Sequence, residues 1–138
     1  MSKLAMNSRM YKILSCLSAA LFFSLFVALL VSPRSVLEGA GLVQTGWTDF
    51  LSRRAGVIML GLAVLLFQSR NARHSATRQA VLIGTGTVFG GLAVMGSIEV
   101  LRGFAKSGLL PAVAIEATFA IFYFALWISG RGTRLDSP

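Results

Sequence analysis

A chain of 138 residues that is 55% hydrophobic and 13% charged, with a mean hydropathy of +0.74, is too apolar for an ordinary soluble domain and long enough for one compact unit. A formal net charge of +8 would fit nucleic acid if the basic residues formed one soluble patch. They fall instead between long apolar runs, where a topology signal is the simpler reading, and nucleic acid is set aside as a partner. The single cysteine, Cys16, lies inside the first apolar run, so no intrachain disulfide forms and it reads as a small apolar helix residue.

Residues 13–31 carry no charge, and at about 1.5 Å per residue such a helix crosses a bilayer core roughly 30 Å thick. Lys3, Arg9 and Lys12 precede it, as in a signal peptide. The run is longer than the ~7–15 residues of a signal core, no A-x-A-like site follows, and Pro33 stands just beyond. It is therefore expected to be a retained signal anchor with its amino end in the cytoplasm. In the connection over residues 32–49, Pro33 stops the first helix, and Gly39, Gly41 and Gly46 discourage another long one. Its apolar side chains place it at the interface, with Trp47 as an anchor, and Thr48 or Asp49 is expected to cap the next helix.

That next segment is short of charge-free length. Residues 55–67 alone would suit a re-entrant or buried segment, whereas 50–68 gives a full span that carries Arg53 and Arg54 about one turn inside its end. The full span is the expectation. Arg70, Arg73 and Arg78 follow in a basic turn, then a third uncharged run over 80–98. Glu99, Arg102, Lys106 and Gly108 mark another turn, and Pro111 suits the first turn of a fourth helix over 111–128 with Glu116 inside it.

Together these spans predict an all-α fold: one transmembrane antiparallel four-helix bundle whose natural units are two helical hairpins. Lys3, Arg9, Lys12, Arg70, Arg73, Arg78, Arg131 and Arg134 then share one side, while Arg34, Arg53, Arg54, Arg102 and Lys106 lie on the other. The acids Glu38, Asp49 and Glu99 fall on the second side and Asp136 on the first. The positive-inside rule places both termini in the cytoplasm.

Few motifs carry chemistry. The run Gly84-Thr85-Gly86-Thr87-Val88-Phe89-Gly90 has the wrong spacing and the wrong context for a phosphate-cradling loop. Gly86-x-x-x-Gly90 reads better as a helix-packing face that admits another helix, within the chain rather than across a dimer. The only histidine, His74, is expected in the solvated basic loop, and Cys16 is too distant to share a metal with it. No Ser–His–Asp or Cys–His set can be assembled, so no catalytic residue, metal or cofactor is assigned. Intramembrane Ser and Thr are expected to bond to their own helix backbone.

The sharpest polar feature is a candidate cluster of Arg53, Arg54, Glu99, Arg102 and Glu116. Arg53 and Arg54 lie roughly 5–6 Å below the start of their span, and Glu116 roughly 8–10 Å below the start of its own. Depths match well enough for an arginine to meet Glu116 or Glu99. A structural ion pair or snorkelling arginines is the plainer reading, a functional polar pocket the other, because ionisable residues inside a membrane are site candidates. Arg54 is the favoured partner, since Gly56 and Gly61 follow it.

The stretch Arg54-Ala55-Gly56 opening a span with Gly61 inside, and the basic turn Arg70-Asn71-Ala72-Arg73 leading to Arg78-Gln79-Ala80, resemble small four-span bacterial inner-membrane proteins grouped as a domain of unknown function, with DoxX-like proteins as more distant look-alikes. The resemblance covers residues 33–128 and implies a four-helix bundle in a bacterial inner membrane. It implies no activity. The expected function is a non-enzymatic integral membrane protein that binds a lipid or small apolar molecule or serves as an accessory subunit. Its partners would be the lipid bilayer and other membrane subunits or copies of itself. The alternatives are an oligomeric transporter or proton or cation pathway using Glu116 and, last, a membrane enzyme acting on lipids.

Overall fold

The computed structural model describes residues 3–43 and 45–131. The chain forms α1 (Lys3–Val31), a short α2 (Pro33–Gly39), α3 (Gly46–Ser69), α4 (Ala76–Leu101), a single 3-10 turn (Ser107–Leu109) and α5 (Leu110–Gly130). Four of these helices, α1, α3, α4 and α5, are long and apolar enough to cross a membrane. No strand occurs among the described residues, and the architecture is an all-α helical bundle.

Chain neighbours pair. α1 packs along α3, and α4 packs along α5, as antiparallel partners. The two pairs join through the aromatic side of α1. Phe22 stacks on Phe89 of α4 at 4.9 Å between ring centroids, and Phe89 stacks in turn on Phe119 of α5 at 5.0 Å and Tyr123 at 6.0 Å. Such offset stacks add to the area each ring buries. Leu66 of α3 and Leu82 of α4 complete the fully buried layer. α3 and α5 share no extended face, because each lies against its own partner.

Close approach of α4 and α5 depends on small residues. A methyl added at Gly86 would lie 3.2 Å from Tyr123 Cβ and 3.3 Å from a Phe124 ring carbon, and one at Gly90 would meet Phe124 at 3.7 Å and Ala120 at 3.8 Å. Both glycines of the Gly86-x-x-x-Gly90 motif therefore face α5 within the same chain. Gly56 does the same on α3, where a methyl would lie 3.4 Å from Leu29 of α1, whereas Gly61 and Gly84 face open space.

Several boundaries differ from expectation. α1 starts at Lys3 and not at residue 13, because its first turns rest on the ends of α4 and α5 and so gain packing that hydropathy does not report. The connection after α1 holds α2, with Pro33 in its first turn, where a missing N–H costs nothing. The cap of α3 is Thr45, neither Thr48 nor Asp49: its Oγ1 accepts from Thr48 N at 3.2 Å while Thr48 Oγ1 accepts from Thr45 N at 2.7 Å. That reciprocal cap starts α3 at Gly46 and makes it long enough to span.

The end opposite the basic turn is closed by its own loops. Gly103, at φ +73°, ends α4: its N–H donates to Val100 O and that of Phe104 donates to Glu99 O, each at 3.0 Å. Lys106 N then donates to Ala40 O at 3.1 Å, and the Lys106 stem lies against Gly41, itself at φ +77°. A left-handed backbone and a side chain in close contact leave room there only for glycine.

Candidate functional site

The predicted arginine–glutamate cluster does not assemble. Arg53 and Arg54 are exposed on α3, and the Arg54 guanidinium sits 5.5 Å from the centre of the Phe50 ring one turn earlier. Glu99 is 3.7 Å from Arg102 at the end of its own helix, and Glu116 is half-buried on α5. Among the described residues neither arginine forms an ion pair with Glu99 or Glu116, and the pairs that do form are Arg102–Glu99 and Arg34–Glu38. The reason lies in the helix order. Matching depth brings two charges together only on helices that share a face, and α3 and α5 are held apart by their separate partners. Arg54 also fails as the favoured member, since Gly56 points to α1 while Arg54 points away from the bundle.

The concentrated polar feature lies at the basic end, on the face of α1 that meets α4 and α5. Tyr11, Ser15, Ser18 and Phe22 follow a spacing of three and four residues, so they line one side of the helix, and all four are fully buried. Ser18 Oγ accepts a hydrogen bond from Tyr123 Oη at 3.0 Å. Tyr11 Oη and Ser15 Oγ are buried without a hydrogen-bond partner among the described residues. The expectation that intramembrane hydroxyls bond to their own helix holds for Ser24, Thr87, Ser97 and Thr118, each donating to a carbonyl four residues back. It does not describe Ser15 and Ser18, which face neighbouring helices.

Arg78 anchors this seam. Counted in the sequence as one more arginine of the basic turn, it is only 3% exposed. Ser75 caps α4 and sets Arg78 in its first turn, aimed at α1. The guanidinium donates to Asn7 O at 2.9 Å and Ser8 Oγ at 3.3 Å and lies 4.4 Å from the centre of the Tyr11 ring. Its Nε has no partner among the described residues. A buried cation is costly unless its donors are satisfied, and among the described residues it is neutral acceptors and a ring face, not a carboxylate, that meet the guanidinium. Asn7 Nδ2 also donates to Ser129 Oγ at 3.2 Å, which draws the end of α5 into the same layer.

His74 needs a further correction. It is not a solvated loop residue but only 8% exposed, tucked under the end of α5 so closely that a methyl on Gly130 would lie 2.9 Å from His74 Cε1. The basic turn is short, so it folds beneath the bundle instead of projecting from it. Among the described residues no group of His, Cys, Asp and Glu is placed to hold a metal ion.

Two apolar clefts flank α1 at the depth of the spans. The larger, about 490 Å³, lies between α1 and α3, with Cys16, Ala20 and Phe23 on one wall and Leu60, Val64 and Phe67 on the other. The smaller, about 350 Å³, lies between α1 and α5 and is lined by Ile13, Leu17, Phe119 and Phe122 among others. Volumes of this order suit small organic ligands, and linings this apolar suit hydrocarbon. Cys16, the lone thiol, is thus partly exposed on the wall of the larger cleft.

These features define an integral membrane protein with four apolar helices, a sealed polar seam inside the bundle and apolar clefts outside it. No family model matches the chain, and no curated protein or solved structure is significantly similar to it.

Proposed function

We propose that the chain is a non-enzymatic membrane protein that holds a lipid or similar apolar molecule against the flanks of α1. The observation that carries this reading is the pair of apolar clefts, about 490 and 350 Å³, both opening where acyl chains would surround the helices. The sealed seam supports the same view. Arg78 bonds to α1, and the Tyr123–Ser18 hydrogen bond ties α5 to α1, inside the bundle, so a ligand meets the outer walls.

The membrane is proposed to be a bacterial inner membrane with both termini in the cytoplasm. The distribution of lysine and arginine supports that orientation, and the resemblance of Arg54-Ala55-Gly56 and the Arg70-Asn71-Ala72-Arg73 turn to small four-span proteins supports that membrane. Native mass spectrometry of the full chain, released from a mild detergent, tests the reading. Lipid-sized adducts that survive activation are expected, and a chain that stays bare after incubation with bilayer lipids would overturn it.

A second reading rests on Glu116, a half-buried carboxylate within α5 that forms no ion pair among the described residues. As a proton or cation carrier it would require an assembly of several copies, because four helices make a thin wall. Flux into liposomes that is indifferent to Glu116→Gln excludes this role.

A further inference from the structure

We infer that the occupant of the α1–α3 cleft is an anionic phospholipid, with its acyl chain along the cleft and its phosphate at the basic end; this rests on the lipid-binding reading and names the class of lipid. The cleft has one apolar end and one charged mouth. Cys16, Ala20 and Phe23 form its α1 wall, and Lys12 continues that face one turn, or about 6 Å, toward the basic end. On the α3 side the lining ends at Phe67 and the polar Gln68. The Arg70 guanidinium lies 3.7 Å from the centre of the Phe67 ring and donates to Phe67 O. Arg70 is therefore held over the residue that closes the cleft.

Charge complementarity selects the headgroup. Helix register sets Lys12 on the α1 side of the mouth and Arg70 on the α3 side; Lys12 is exposed, Arg70 partly so, and among the described residues neither forms an ion pair. Arg70 keeps several N–H donors beyond the one used on Phe67 O, in the fork geometry that suits phosphate. Among the described residues the acids Glu38, Asp49, Glu99 and Glu116 all belong to the opposite half of the chain's helices or to its loops there, so none of these four competes for the mouth. A zwitterionic headgroup would bring its own cation into this basic mouth. An anionic one brings only the charge that the two side chains match.

The test is a competition. The full chain in mild detergent is offered equal amounts of phosphatidylglycerol and phosphatidylcholine with identical acyl chains, and bound lipid is counted by native mass spectrometry. Phosphatidylglycerol is expected to exceed phosphatidylcholine by at least about fivefold. The double variant Lys12→Gln/Arg70→Gln should bring the ratio near one while lipid still binds, and Ala20→Trp, which fills the cleft from its exposed side, should lower total binding. The matched variant Arg53→Gln/Arg54→Gln loses the same charge at the other end and should keep the preference.

Equal binding of both lipids by the native chain would overturn the headgroup assignment and leave the lipid-binding reading standing. No bound lipid at all would overturn both. A preference that survives the Lys12/Arg70 variant, or that falls equally in the Arg53/Arg54 variant, would overturn the assignment to this mouth, and unchanged total binding in Ala20→Trp would overturn the assignment to this cleft. A thermal unfolding midpoint for each variant separates lost binding from lost folding.

Discussion

At the basic end of the bundle Arg78 is almost fully buried, bound to the backbone of Asn7, the hydroxyl of Ser8 and the ring of Tyr11. At the opposite end Arg53 and Arg54 stand exposed on α3, with the Phe50 ring beneath Arg54. The two sites look alike in the sequence: an arginine or two within the first turns of an apolar helix. They differ in what lies across from them. Arg78 faces the first turns of α1, which rest against α4, whereas Arg53 and Arg54 face outward because α3 turns its small residue Gly56 to α1. Burial of a charge is set by the neighbouring helix, and acids need have no part in it.

The largest expected effect breaks that contrast if it fails. Arg78→Ala removes two hydrogen bonds and a cation–π contact and leaves Asn7 O and Ser8 Oγ without their donor. The loss should be about 2–3 kcal/mol of unfolding free energy, read from a denaturant titration in mixed micelles. Arg53→Ala and Arg54→Ala should each stay within about 0.5 kcal/mol of the native chain. Comparable losses at the two ends would mean that burial of Arg78 carries no energetic weight.

The same comparison can be made around α4. Gly86→Ala places a methyl 3.2 Å from Tyr123 Cβ and should cost about 1–2 kcal/mol through forced repacking. Gly84→Ala enters open space and should be neutral or stabilising by up to about 1 kcal/mol, the ordinary helix preference for alanine. Thermal midpoints of the two variants that shift in the same direction would contradict the packing of α4 on α5 described above. Within the seam, Tyr123→Phe should cost about 1 kcal/mol by orphaning Ser18 Oγ. Adding Ser18→Ala should then cost less than it does alone, and a double-mutant cycle with no coupling would remove that hydrogen bond from the account.

Much of the fold was legible because a membrane span is declared by length and hydropathy alone. The four apolar runs, Pro111 at the start of α5 and the small face of α4 are local properties of the chain. What was not legible depends on pairing between helices. Depth along a span follows from residue counting, and it put Arg54 level with Glu116, but the helix order that separates α3 from α5 leaves no trace in either segment. Burial of His74 and Arg78 is illegible for a similar reason, since a basic turn reads as solvated until the ends of α1 and α5 are laid over it. One signal was available. Tyr11, Ser15 and Ser18 repeat on one face of an otherwise apolar helix, a pattern that marks a face turned toward protein and away from lipid.

The smallest expected effect tests the end of the bundle that carries Arg53 and Arg54. If Arg54 and Glu116 were partners, Glu116→Gln would lower stability and Arg54→Gln, added to it, would cost little more. The helices that carry them share no extended face, and among the described residues no ion pair links them. Side chains that do not touch have independent effects, so the two losses should add to within about 0.5 kcal/mol. Raising the salt concentration should leave that additivity unchanged, because no charge pair is there to screen. A coupling clearly above that margin, weakened by salt, would place α3 against α5 and reverse the helix order on which the comparison of the two ends depends.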